Sequence, residues 1–211
     1  LLLEDDEDDY LMIRELIGTY CCAPYWEGEL QFDRDSGRLD TAPLVKVPDG
    51  KLKLWLHPQK ERVPLDDYAG GADIAEGVGA TPSCLCFINS TGEKVCEYVD
   101  AHIKPEDLAV LAVALCWLFK NEQGEGARFA WEMVGPGERF GKKMLELGYR
   151  RCYYRQNETA APWGKKISDI PGWFPTPTNR TRLLGDYRAA LYSRKFLNRS
   201  EKALKEFLCF R

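Results

Sequence analysis

The sharpest polar–apolar alternation in the chain is KLKLWLHP at 51–58. Leu52, Leu54 and Leu56 fall on one face and Lys53, Trp55 and His57 on the other, which predicts a half-buried strand. Three more strand patterns follow: DYAGGADIA at 67–75, SCLCFIN at 83–89 and EKVCEYVDA at 93–101. The NSTGEK turn between the last two contains a glycine, and such short connections predict antiparallel pairing. KPEDLAVLAVALCWLFKNE at 104–122 has helical length, a proline in its first turn and apolar residues nearly all round, as expected of a buried helix. A further strand, ARFAWEMV at 127–134, is broken by GPG before a helix at 138–148, and YRRCYYR at 149–155 is the last strand, expected to run parallel to the one at 127–134.

Outside this centre the pattern is weaker. Residues 10–20 have helical spacing, 21–32 mix aromatics with proline and glycine and read as irregular, and 33–50 read as a loop. Residues 156–178, rich in Pro, Gly and Trp, form a long loop of the kind that often carries function. A helix is expected at 178–196 with Thr178 as N-cap, and another at 200–210. Three antiparallel strands, helix, strand, helix, strand, then helices is the element order of a ribonuclease-H-like α/β fold, a mixed sheet flanked by helices. The chain therefore divides into an N-terminal connector at 1–50 and one ribonuclease-H-like domain at 51–211.

Composition changes this picture in two places. The net charge of −4 conceals an asymmetry: residues 1–138 hold 12 basic and 27 acidic side chains, and residues 139–211 hold 17 and 6, giving −15 against +11. Either the acidic run EDDEDD at 4–9 is simply solvated, or the last third offers a basic surface to a polyanion. The eight cysteines lie mostly inside apolar patterns without a CxxC pair, and His57 and His102 are the only histidines. Free thiols in a reducing compartment are expected, and a zinc site is not. No apolar run approaches the length of a membrane span.

Candidate chemistry rests on two carboxylates. Asp73 interrupts an otherwise small and apolar strand, on the face opposite Ala72 and Ile74. Glu132 shares a face with Ala130, opposite Phe129, Trp131 and Met133. A lone buried carboxylate costs several kcal/mol, on the order of 3 or more, so each predicts a compensating partner. If the two strands are neighbours, both acids converge, and a pair of Mg²⁺ or Mn²⁺ ions is the expected partner, with the alanines leaving room for substrate. GPGERFGKK is not a nucleotide loop: five residues rather than four separate Gly135 from Gly141, and Lys143 stands where Ser or Thr is required.

These residues resemble the nuclease domain of phage terminase large subunits. That family shows an I-W-x-x-P strand and then Y-x-x-G-x-D-x-A-x-G with the first catalytic aspartate. Here they are Leu54-Trp55-Leu56-His57-Pro58 and Tyr68-Ala69-Gly70-Gly71-Ala72-Asp73-Ile74-Ala75-Glu76-Gly77. AWEMVGPGERFGKKMLELGY is similar to the family's strand ending in Glu, with Glu132 as the acid. Gly172-Trp173 through Arg180 is similar to its G-W-x-T-x-x-x-[KR] segment. The resemblance covers about residues 50–211 and implies Asp73 and Glu132 as metal ligands and catalytic acids. It implies double-stranded DNA as substrate, the portal and the small terminase subunit as partners, and the bacterial host cytoplasm as location. Arg180 and Arg182 are candidate DNA contacts, and Trp163 and Trp173 candidate stacking or packing residues. The family's third carboxylate is expected beyond Arg211. Asp186 is not assigned to the site, and no Walker A ATPase motif is present. The alternatives are a non-catalytic DNA- or portal-binding module and another ribonuclease-H-like nuclease of the resolvase type.

Overall fold

A computed structural model describes residues 6–156 and 167–208. In chain order the elements are α1 (Asp6–Tyr20), β1 (Trp26–Phe32), β2 (Leu39–Lys46), β3 (Leu52–Leu54), β4 (Ala69–Asp73), β5 (Ser83–Ile88) and β6 (Lys94–Asp100), then α2 (Pro105–Leu118), β7 (Arg128–Trp131), α3 (Pro136–Glu146), β8 (Tyr154–Gln156), β9 (Ile167–Pro171), α4 (Pro177–Tyr192) and α5 (Glu201–Phe207).

Seven strands form one mixed sheet in the order β2-β1-β3-β6-β5-β4-β7. Every neighbouring pair is antiparallel except β4 and β7, which run parallel. The helices flank this sheet, so the expected ribonuclease-H-like mixed α/β architecture is the one observed. The β5–β6 turn is closed by Asn89, whose side chain accepts from Thr91 Oγ1 and the Glu93 amide at 2.8 Å each, and Gly92 takes a positive φ of 82°.

The principal core lies between the sheet and α2–α3. Leu54, Leu85, Phe87, Leu108 and Leu115 are fully enclosed there, each contributing about 1.5–3 kcal/mol of burial. Helix α2 is buried along nearly its whole surface, as its uniform apolarity predicts. A smaller cluster joins Met12, Ile13 and Leu16 of α1 to Leu191 of α4 and Leu204 of α5.

Several expectations are corrected. Residues 21–50 are not irregular: they supply β1 and β2, and β1 pairs with both β2 and β3. Trp55 is buried rather than solvated, its indole donating to the Cys22 carbonyl at 2.9 Å. The strand expected at 149–155 is reduced to a parallel bridge between Phe129 and Cys152, and β8 pairs instead with β9 in a separate two-stranded sheet that interrupts the long loop. The cap of α4 is Thr176, not Thr178: its side chain accepts from the Asn179 amide while Asn179 Oδ1 accepts from the Thr176 amide, and Pro177 opens the helix.

The charge asymmetry is partly spent within the molecule. Arg188 contacts Asp9 at 2.7 Å, Arg194 contacts Glu15 at 2.7 Å and Arg199 contacts Glu93 at 3.1 Å, so basic residues after 139 neutralise acids of α1 and the β5–β6 turn. Cys96 and Cys116 are buried free thiols, whereas Cys22 is exposed. Among the described residues no helix is long and apolar enough to cross a membrane.

Candidate active site

The site begins with a register. Ala69, Gly70, Gly71 and Ala72 of β4 lie opposite Arg128, Phe129, Ala130 and Trp131 of β7. Continuing that register by one residue sets Asp73 beside Glu132, on the same face of two parallel neighbours, at the ends where both strands leave the sheet. The condition set by the sequence, adjacency of the two strands, is met.

Local packing explains why this part of the sheet is so small-residue-rich. A Cβ on Gly70 would lie 2.7 Å from the rings of both Phe129 and Phe87, so the core face of β4 tolerates no side chain there. A Cβ on Gly71 would meet only the Ala130 carbonyl oxygen, at 3.8 Å. The face carrying Asp73 is therefore open beside the carboxylate, floored by Gly71 and Ala130. Helix α3 fits against β7 only because of its glycines. A Cβ on Gly137 would fall 1.8 Å from the Glu132 carbonyl oxygen, and one on Gly141 would fall 2.7 Å from the Trp131 ring. The GPGERFG stretch is thus a close-approach helix start behind the glutamate.

The backbone of Glu132 is fastened on its other side by the end of the long loop. Trp173 makes a parallel bridge to it, the Met133 amide donating to the Trp173 carbonyl and the Trp173 amide to the Trp131 carbonyl, both at 2.7 Å. Trp173 serves the site through its main chain. Trp163 lies outside the described residues.

Asp73 is not the buried acid expected from its sequence context. It sits at the solvent-accessible end of β4, so the burial cost argued for it applies only in part. Partial desolvation, and then the negative charge of Glu132, raise its pKa, while the Ile74 amide acts in the opposite sense. Glu132 is satisfied by a cation: Arg180 Nη2 donates to its Oε1 at 2.8 Å. Arg180 therefore lies in the site itself, carried there by the first turn of the capped α4. Arg182 is exposed and faces Asp186 at 3.7 Å along the same helix; Asp186 is not part of the carboxylate pair.

The loop after β4 is held in place on both flanks. The Ala75 amide donates to the buried Ser83 hydroxyl at 2.9 Å. Arg139 of α3 clamps Glu76 at 2.5 Å and Glu106 at 3.2 Å, tying the loop to α2 and α3. This clamp and the Trp173 backbone were missed from sequence. Their partners are 63, 33 and 41 residues away, and no local pattern announces them. Asp73, Glu76, Thr81 and Pro136 border an open pocket of about 350 Å³. Beside Asp73, across the β4–β5 ladder, Cys84 is kept as a neutral thiol, pushed up to about 12 by burial and then by Cys86.

Two carboxylates on one face, with open space beside them, fit a hard divalent cation such as Mg²⁺, which usually takes one or two carboxylates and keeps its remaining positions for water and phosphate oxygen. Among the described residues no cluster of three or more His, Cys, Asp or Glu side chains is positioned to hold a metal.

No protein-family model and no curated protein sequence matches the chain. Solved structures do. The crystal structure of the large terminase nuclease from thermophilic phage G20c with bound magnesium aligns with a TM-score of 0.55 at 13% identity, covering 88% of this chain and 76% of that one. The same nuclease with bound cobalt gives a TM-score of 0.54 over the same shares, also at 13% identity. A third structure of it gives 0.52, at 13% identity over 88% of this chain and 77% of that one. At this identity the likeness defines the fold: the chain has the ribonuclease-H-like fold of a phage large terminase nuclease domain.

Proposed function

We propose that the chain is the metal-dependent endonuclease domain of a phage DNA-packaging terminase, hydrolysing phosphodiester bonds of double-stranded, concatemeric DNA. The observation that carries this reading is the β4–β7 register, which sets two carboxylates side by side in a fold shared with a nuclease solved with magnesium and with cobalt. Asp73 and Glu132 would hold two divalent ions, Mg²⁺ or Mn²⁺. When bound, such ions supply charge stabilisation for the attacked phosphate and lower the pKa of an attacking water. The chain's own residues do the rest. Gly71 and Ala130 leave space for the phosphate. The Arg139 clamp fixes the loop beside Asp73. Arg180 neutralises Glu132 and stands where it can pass to a DNA phosphate when a cation replaces it, with Arg182 a contact further out. The portal and the small terminase subunit are the expected partners, and the host cytoplasm the expected place of action.

A second reading is a DNA- or portal-binding module without cleavage. The Arg180–Glu132 ion pair and the presence of only two clustered acids among the described residues favour it. The experiment is conversion of supercoiled plasmid in Mg²⁺ or Mn²⁺ by the wild-type chain, Asp73→Ala and Glu132→Ala. Nicking and linearisation that need the metal and both acids are expected. Plasmid binding with no cutting in either metal would favour the module instead.

A further inference from the structure

A pocket with charged walls lies far from Asp73. It has a volume of about 400 Å³ and is lined by Arg38, Leu39, Arg62, Trp117, Lys120 and Gly124. Its position follows from the topology. Asp73 closes the C-terminal end of β4, where α2 starts; α2 then runs back over 14 residues, roughly 20 Å at about 1.5 Å per residue, to Leu118. Lys120 lies just past that end, its carbonyl accepting from the Asp66 amide ahead of β4. The pocket and the carboxylate pair thus occupy opposite ends of the sheet.

Three observations converge on this pocket. Its walls hold three cations and no carboxylate, although they belong to the part of the chain, residues 1–138, whose net charge is −15. Among the described residues none of the three makes a salt bridge, although the charge of Arg38 reaches Asp33. The C-terminal end of α2 does not account for them, because a helix terminus carries about half a charge and is satisfied by one cation. Second, Trp117 is 45% exposed and makes a T-shaped contact with Tyr149 at 5.6 Å and 85°, so the ring is packed on one side while part of it faces solvent. Third, Arg62 closes a two-residue turn, paired to Gln59 through both backbone hydrogen bonds, in which Lys60 and Glu61 take φ of 48° and 61°. Such turns normally recruit Asn or Gly, so this one holds Arg62 in place against backbone strain.

A part-exposed indole flanked by three cations that make no salt bridge matches the chemistry of an unpaired nucleotide: a base stacks on the ring and its flanking phosphates meet the cations. A paired base has no free face to offer. The volume suits one nucleotide of a longer strand. We propose that this pocket is a second nucleic-acid site, which takes a single-stranded segment at the end of the sheet remote from Asp73 and Glu132.

The test uses the full chain, a labelled oligothymidylate of about ten nucleotides and low salt, with EDTA present. Chelation removes the carboxylate pair from the measurement, so this proposal and the cleavage reading fail independently. Trp117→Ala is expected to weaken binding by about tenfold, with Trp117→Tyr restoring most of it. The double variant Arg62→Glu, Lys120→Glu is expected to weaken it at least as much. It should also flatten the dependence of log affinity on log salt by roughly 1.4, at about 0.7 per phosphate contact. Quenching of indole fluorescence that disappears in Trp117→Tyr places the base on this ring rather than on another of the six tryptophans. Unchanged oligonucleotide affinity in Trp117→Ala and in the charge-reversal variant overturns the proposal. So does tighter binding of a poly-glutamate peptide through the same residues, which would assign the pocket to an acidic protein segment.

Discussion

The two faces of β4 and β7 differ as much as any two regions of this molecule, although their residues alternate along the same two short stretches, 70–73 and 129–132. Gly70, Ala72, Phe129 and Trp131 turn toward α2 and α3, where Phe129 and Trp131 are 1% and 2% exposed and Phe140 of α3 packs against both rings. Gly71, Asp73, Ala130 and Glu132 turn the other way, onto a face left open beside the carboxylates. The closed face fixes strand spacing and register; the open face uses that register to bring two like charges together. Partial desolvation, and then the charge of the neighbouring Glu132, raise the pKa of Asp73, so the arrangement is maintained by the apolar face at the expense of the polar one.

The largest effect expected from breaking this division comes from the closed face. Trp131→Ala should lower stability by about 3–5 kcal/mol, read from a denaturant midpoint, because it empties the volume between β7, Phe140 and Gly141. The adjacent glycines sharpen the contrast. Gly70→Ala drives a methyl into two aromatic rings and should cost about 1–3 kcal/mol, whereas Gly71→Ala should leave stability unchanged or raise it by up to ~1 kcal/mol. Any loss of cleavage in Gly71→Ala would then report crowding of the open face alone.

Smaller effects separate the roles on the open face. Arg180→Ala removes a competitor for Glu132 and should tighten divalent-metal binding by a few fold, about 2–5, the equivalent of a partly exposed ion pair, while weakening DNA binding. Titration calorimetry with Mn²⁺ and a DNA-binding assay read the two signs separately. In metal-free protein the pH dependence has a defined direction. A carboxyl whose pKa is raised in the folded state holds its proton more tightly there than when unfolded. Its contribution is therefore lost as pH rises through the ordinary carboxylate range toward the raised value. Asp73→Asn should flatten that decline in urea midpoints measured between about pH 4 and 7.

The centre of the fold was legible because its signals are strong. The order of β4–β5–β6, α2, β7 and α3 follows from alternation, short turns and one uniformly apolar helix. Asp73 and Glu132 stood out as charges in apolar strands. What escaped is equally specific. β2 contains Pro43 and the polar stretch Asp40-Thr41, and reads as a loop; it is an edge strand, where proline is tolerated because one side of its backbone has no partner to satisfy. β1 was hidden by Gly28, which is required there because a Cβ would lie 2.1 Å from the Val45 carbonyl oxygen. The Thr176 cap was signalled by the Pro177 that follows it, a first-turn residue. The pairing of Arg180 with Glu132 spans 48 residues and is created only when α4 docks, so a one-dimensional pattern holds no trace of it.

The central claim is that Asp73 and Glu132 act as one cation site because β4 and β7 are parallel neighbours in register. A double-mutant cycle on Mn²⁺ affinity, using Asp73→Ala, Glu132→Ala and the double variant, tests it most directly. The account predicts strong coupling: either single variant loses most of the affinity, and the double loses little more. Independent, additive losses, or Mn²⁺ binding unaffected by either substitution, would contradict it.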